Sequence, residues 1–265
     1  MATLKNTTIN DTGYITKPSG NTAQRPSAAN GMIRYNTDIQ NIEYYNGSKW
    51  QHSDQNTGHV RNSLLLHLDA GDTKSYTGTG TTWYDISGNN KNAVMSASNP
   101  PVFTTLDGVK CFQASDLSGQ NFYVSNYTFP NSGRTYEMWI NQTSVSIGYQ
   151  TWMDDNLSER VLFGLYNDTF YVYPSIAIGS AITTGVWTHV AFTMVGDVGT
   201  TVIGYKNGTS IVTGTFGYAL ASGTGTLYIM GDTGGEIMSG YCALARTYNR
   251  VLSANEILQN YNAER

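Results

Sequence analysis

Charge is what this sequence has least of. Lys, Arg, Asp and Glu make up 13% of the 265 residues and sum to a net charge of −4, when about a quarter charged is usual. No basic run exists, so nucleic acid is excluded as a partner. No apolar stretch approaches the roughly 18–20 residues of a membrane helix, Leu64-Leu65-Leu66 being about the longest pure run, so membrane insertion is not expected either. The two cysteines, Cys111 and Cys242, make no disulfide framework and no metal-ligand set, and read as free, buried thiols in strands. The helix builders Ala, Leu, Glu and Lys are scarce, which argues against a helical protein. The opening MATLKNTTINDTGY lacks a basic-then-apolar pattern, so export by a cleaved leader is not expected.

What is abundant is Gly (28), Tyr (19), and Ser, Thr and Asn. With 12% aromatic residues there is ample surface to bury, so the chain is not disordered. Asn-X-Ser/Thr acceptors at Asn46, Asn141, Asn167 and Asn207 read as by-products of that composition. Residues 1–61 form a separate N-terminal module. In it Met32, Ile33 and Tyr35 read as a short strand, and Asn46-Gly47 as a hairpin turn between Ile42–Tyr45 and Ser48–Trp50. A hairpin this small is marginal alone and needs a partner surface. Residues 51–62 read as a polar linker.

Residues 62–265 read as a long series of strands. Leu64, Leu66 and Leu68 alternate with Leu65 and His67; YEMWINQT and WTHVAFTM alternate likewise. A second Asn-Gly hairpin lies at Tyr205–Thr209, and Asn167-Asp168 looks like a third turn. Ser253 and Glu256 form a capping box, with Leu252 and Ile257 in the staple positions. They open a short helix that ends near Tyr261 and has an apolar face of Ile257, Leu258 and Tyr261. The fold class expected is all-β: an antiparallel β-sandwich or jelly roll with a small N-terminal hairpin module and one short C-terminal helix.

LLLHLDAGDTKSYTGTGTTWYDISGN (residues 64–89), YEMWINQT, WTHVAFTM, YKNGTSIV and LARTYNRVLSANEILQNYNA (residues 244–263) resemble, in order and spacing, a laminin-G-like, concanavalin A-like jelly roll. That resemblance implies two packed antiparallel sheets and, often, glycan binding or adhesion. PSGNTAQRPS (residues 18–27), NGMIRYNT (30–37) and YNGSKW (45–50) are similar to a module of tailed-bacteriophage structural proteins. It implies a virion component, frequently trimeric, attached to other virion proteins through this module.

Catalytic chemistry is not expected. Paired carboxylates for glycoside hydrolysis would have to stand about 5–5.5 Å apart. Glu137 has Trp139 two residues on, Glu236 is followed by Ile237 and Met238, and Asp154 and Asp155 are adjacent, with Glu159 in the same stretch. His52, His59, His67 and His189 have no ligand spacing, and His189 reads as a packing residue. No metal ligand or cofactor is assigned; structural calcium stays open because Asp69, Asp72 and Asp85, and then Asp154, Asp155 and Asn156, cluster in turns. The candidate ligand-binding set is Tyr149, Trp152, Asp154, Asp155 and Asn156, read as a loop with aromatic faces beside polar acceptors; core packing of Trp152 is the competing reading. The function expected is a non-catalytic virion appendage whose sandwich binds a host-surface glycan. The alternative is a capsid decoration, neck or cement protein with a purely structural sandwich; a secreted lectin or hydrolase ranks last.

Overall fold

The computed structural model describes residues 16–38, 41–52, 58–115, 119–144, 148–158, 160–167, 169–173, 176–195, 201–215, 219, 221–232 and 234–264. The chain divides into two compact units between residues 57 and 58. Gly58 to Arg61, expected to be linker, belong to the larger one: Val60 N–H donates to Asn260 Oδ1 (2.7 Å) and the Gln259 side-chain amide to the Gly58 carbonyl.

The smaller unit is a four-stranded sheet, β1 (Ser19–Gly20), β2 (Ile33–Asn36), β3 (Asn41–Tyr45) and β4 (Trp50–His52), in that order. Its β3–β4 connection is longer than a two-residue Asn-Gly turn, since the ladder closes at Tyr45 and Trp50. Asn46 Oδ1 organises the loop by accepting from the Ser48 and Lys49 N–H groups. The two faces of this sheet are inverted relative to an ordinary domain. Among its described residues the buried side chains are polar: Arg34, Asn36 and Glu43. Glu43 takes Arg25 Nη2 at 2.6 Å and Asn36 Nδ2 at 3.0 Å, with Arg34 Nε at 3.6 Å. On the other face Ile33 pairs with Tyr44 and Tyr35 with Ile42. Ile33 is 54% exposed, and Tyr35 and Tyr44 are exposed as well.

The larger unit is a β-sandwich. Its strands are β5 (Leu64–Asp69), β6 (Thr82–Trp83), β7 (Ala93–Met95), β8 (Val102–Leu106), β9 (Val109–Ser115), β10 (Phe122–Phe129) and β11 (Arg134–Gln142). Then come β12 (Tyr149–Asp154), β13 (Leu162–Tyr166), β14 (Thr169–Tyr173), β15 (Ile176–Ala181) and β16 (Trp187–Met194). β17 (Thr201–Lys206), β18 (Thr209–Thr215), β19 (Gly223–Ile229) and β20 (Ser239–Tyr248) complete the set before α1 (Ala254–Ala263). The first sheet runs β15-β14-β13-β12-β19-β10-β7-β6; the second runs β18-β17-β16-β11-β20-β9-β8, with β5 also on β20. Alternation puts Tyr136, Met138 and Ile140 of the second sheet, and Phe122, Phe163 and Phe170 of the first, into one core. Aromatic pairs bridge the layers, Phe112–Phe122 at 4.8 Å and Phe163–Phe192 at 5.5 Å.

Local chemistry fixes the turns. Asn207 (φ 51°) and Gly208 (φ 76°) form a two-residue hairpin between paired Lys206 and Thr209. Asn167 turns at φ 46° between paired Tyr166 and Thr169; Asp168 lies outside the described residues, as does Glu159. Cys111 and Cys242 are free and buried, and burial pushes the Cys111 thiol up to about 11. Among the described residues no helix is long and apolar enough to cross a membrane.

Helix α1 starts where expected, with Ser253 and Glu256 satisfying each other's backbone N–H groups. Its buried face differs from expectation. Ile257 is buried but Leu258 is exposed, and the other buried side chain is Asn260. The reason is that the sheet surface beneath is polar. Glu137 there accepts from Arg246 Nη1 (3.0 Å) and Asn260 Nδ2 (2.9 Å), so an amide rather than a methyl group completes the contact.

Candidate functional site

The stretch 148–160, expected to be a loop, is built on strand β12, and the outer face of the first sheet sorts its residues. β12 pairs with β13 in register from Tyr149↔Tyr166 to Thr151↔Gly164, then slips, resuming at Met153↔Phe163. The slip is a bulge at Trp152, which turns both Trp152 and Met153 inward. Trp152 is fully buried against Phe163 (5.1 Å) and Phe170 (5.4 Å), and its indole N–H donates to Gln142 Oε1 at 3.1 Å. Its placement among ligand-facing residues is therefore corrected: Trp152 is core.

Asp154 and Asp155 are not a solvated tip. Asp155 is sealed against Arg134 (2.8 Å) and also accepts the Val161 N–H at 2.8 Å. Burial pushes its carboxyl up to about 6, against the pull of those partners. Asp154 takes Arg160 Nε at 3.0 Å, while Arg160 Nη2 reaches Asp232 (2.6 Å) and Glu236 (2.7 Å). Burial raises Asp154 and Glu236, and Arg160 opposes the shift in both. One guanidinium thus ties three carboxylates from two distant segments, a clamp on the β12–β13 and β19–β20 connections. Asn156 is exposed, turns at φ 46° and donates its N–H to Asp154 Oδ1. The acidic residues at and after β5 cap turns instead: Asp85 accepts from the N–H groups of His67, Ser87 and Lys91, Asp69 from Gly71 and Asp72 from Lys74.

Tyr149 alone of the five presents an aromatic face to solvent, at 37% exposure. It stands in a tyrosine cluster that the sequence reading missed. Its ring lies 4.6 Å from Tyr166 and 5.3 Å from Tyr171, and those two are 5.7 Å apart. Burial, and then the hydrogen bond to Tyr149, raise the Tyr171 hydroxyl above the ordinary tyrosine range. Gly164 lies between Thr151 and Tyr171 in the ladder, where a Cβ would fall 1.9 Å from the Gln150 carbonyl oxygen. Only glycine permits that approach. A further row crosses five strands by register, Tyr123–Tyr228–Asp154–Leu162–Tyr173, about 19 Å at the usual strand spacing. Tyr173 is exposed, and Tyr123 and Tyr228 are half-buried. The signal was present as alternation: Tyr166, Tyr171 and Tyr173 are out of phase with the core residues Leu165, Phe170 and Val172.

This face offers rigid rings flanked by hydroxyls, a surface that stacks on C–H faces and hydrogen-bonds polar edges. The buried carboxylates beside it are held by Arg134 and Arg160.

The sequence profile of the Concanavalin A-like lectin/glucanases superfamily (Laminin_G_3) matches residues 116–258, more than half the chain. Among solved structures, the binding domain of Paraclostridial Mosquitocidal Protein 1 superposes with a TM-score of 0.58 at 15% identity, covering 77% of this chain and 53% of that one. Domain 4 of AbnA, a GH43 extracellular arabinanase from Geobacillus stearothermophilus in complex with arabinotriose, gives 0.58 at 16% identity, covering 75% and 98%. A Trypanosoma rangeli sialidase in complex with 2,3-difluorosialic acid gives 0.57 at 12% identity, covering 88% and 44%. These likenesses establish the jelly-roll fold of the sandwich. The chain spans about half the length of the mosquitocidal binding domain. No curated protein matches it in sequence.

Proposed function

We propose that this chain, which belongs to the concanavalin A-like lectin/glucanase superfamily, is a non-catalytic virion structural protein of the appendage or fibre type whose sandwich binds a host-surface glycan. The observation that carries the binding half is the tyrosine face: Tyr149, Tyr166 and Tyr173 exposed on one sheet surface, with Tyr171 packed against the first two. Two proteins of similar fold that were solved with sugars, the arabinanase domain with arabinotriose and the sialidase with 2,3-difluorosialic acid, agree with a saccharide ligand. The non-catalytic half is supported by the carboxylates of the first sheet, each spent on a guanidinium. A glycan array probed with the full chain tests the reading. Specific binding is expected, and Tyr149→Ala/Tyr166→Ala should weaken it roughly tenfold or more while thermal stability holds. An array with no specific binder shifts the role to decoration or cement, and hydrolysis of a bound polysaccharide overturns the non-catalytic reading.

The small N-terminal unit supports the virion half. Its buried face is ionic and its apolar residues point out, so hydrophobic burial cannot stabilise it until something covers Ile33, Tyr35, Ile42 and Tyr44. Further copies of the chain, as a trimer, together with neighbouring virion proteins, are the partners this reading assigns. Light scattering on the full chain is expected to give three chain masses, and Ile33→Ser/Tyr44→Ser to give one. A wild-type monomer would remove the trimer.

A further inference from the structure

We infer that the outer face of the second sheet carries a separate binding site, a pocket walled by two indoles and two carboxylates that takes a quaternary ammonium group. Strand β20 changes partners midway: Ser239–Cys242 pair with β9, and Leu244–Tyr248 with β5. At the change β11 also slips against β20, between Trp139 and Ile140. Where β5 and β9 part, a cavity of about 530 Å³ opens, lined by Asp69, Val109, Lys110, Trp139, Trp187 and Glu264 among others. That volume is in the range of small-molecule sites, which run from about 300 to 1,000 Å³.

Three features select the ligand. The first is aromatic surface. Trp139 pairs with His189 and Asn141 with Trp187 in the β11–β16 ladder, so the two indoles are diagonal neighbours on one sheet face. Both are half-buried, and Tyr261 stacks on Trp139 at 5.7 Å with 19° between the planes, which fixes that ring. Both Nε1 atoms are sealed from solvent, so the rings offer the cavity π surface rather than a hydrogen-bond donor. Indole is the aromatic group that holds a cation best. The second feature is charge. Arg246 is shared between Glu137 and Glu264, one guanidinium for two carboxylates. Asp69 and Lys110 both line the cavity, and among the described residues neither forms an ion pair. Three carboxylates thus stand against two cations, and the surplus is negative. Lys110 is exposed while Asp69 and Glu264 are half-buried, so solvent screens the lysine most. The third feature is how the acceptors are spent. Asp69 Oδ1 already takes the Gly71 N–H at 2.7 Å and Glu264 Oε1 holds Arg246. A primary ammonium brings three donors to be satisfied. A quaternary ammonium brings none, and asks only for aromatic faces, apolar wall and negative field.

The site is on the opposite layer from the tyrosine face and stands or falls separately from it. Choline is the probe. Its comparison is 3,3-dimethyl-1-butanol, which has the same shape with carbon in place of the charged nitrogen. In amide spectra of the ¹⁵N-labelled full chain, choline should move the signals of Lys110, Trp187 and Leu244 saturably, with a Kd in the millimolar range. The neutral alcohol should leave them in place. Trp187→Phe, which keeps a ring but weakens the cation contact, should raise that Kd several-fold. Asp69→Asn, which keeps an acceptor for the Gly71 N–H, should raise it likewise. Lys110→Gln should lower it, a change of opposite sign that loss of folding cannot produce. Silence of these amides to choline overturns the site even if a glycan array identifies a ligand for the tyrosine face. Equal movement with the alcohol overturns the selection for charge. A Kd indifferent to both Asp69→Asn and Lys110→Gln puts choline elsewhere on the protein and overturns the site as well.

Discussion

Replacing Glu137 with alanine is expected to cost about 3–5 kcal/mol, the usual penalty for breaking one side of a buried ion pair. Glu137 is sealed between the second sheet and α1, with Arg246 Nη1 at 3.0 Å, Asn260 Nδ2 at 2.9 Å and His189 Nε2 at 3.4 Å. Removing it leaves the buried Arg246 guanidinium with only the half-buried Glu264 carboxylate as counter-charge and loosens the Asn260 amide, which also holds Val60 N–H at 2.7 Å. The urea midpoint should fall, and α1 amides should lose hydrogen-exchange protection first. The pH dependence carries a sign. Burial alone would raise this carboxyl, but the His189 imidazole 3.4 Å away and the Arg246 charge outweigh it and hold it at about 2. Its folded value therefore lies below the ordinary 4.5. The stabilisation is complete above pH 4.5 and is lost as pH falls toward 2, roughly 3 kcal/mol across that gap. The stability difference between wild type and Glu137→Gln should shrink over that window; a constant difference would contradict this assignment.

Trp152→Ala should be comparably damaging, about 3–5 kcal/mol, with a fall in Tm of roughly 10 °C. The indole fills the core between Phe163 and Phe170, and its removal leaves Gln142 Oε1 without its donor. Trp152→Phe should recover most of the packing and still lose the hydrogen bond, an intermediate loss. Differential scanning calorimetry of the two variants checks the order. A Trp152→Ala protein with wild-type Tm would place the side chain back on the surface. Any loss of glycan binding in that variant would then follow from unfolding, whereas the exposed tyrosines can be cut without touching the core.

The parts of this protein that could be read from sequence are those whose partners lie a few residues away. The Asn207-Gly208 turn is set by two residues that tolerate positive φ, and the α1 cap by Ser253 and Glu256 three apart. Alternation along the segments that became β11 and β16 was enough to name the all-β class. The candidate site did not yield to the same reasoning. A single bulge reversed Trp152, and Asp155 met an arginine 21 positions away on another strand. Arg160 closed on Glu236 across 76 positions, and Tyr149 gained Tyr166 and Tyr171 only through strand register. Composition and periodicity determined that this chain folds as layered strands with short polar turns. Tertiary structure decided which face each aromatic and carboxylate occupies, because in a pleated sheet one residue of slip exchanges inside for outside and that slip is set by distant pairing.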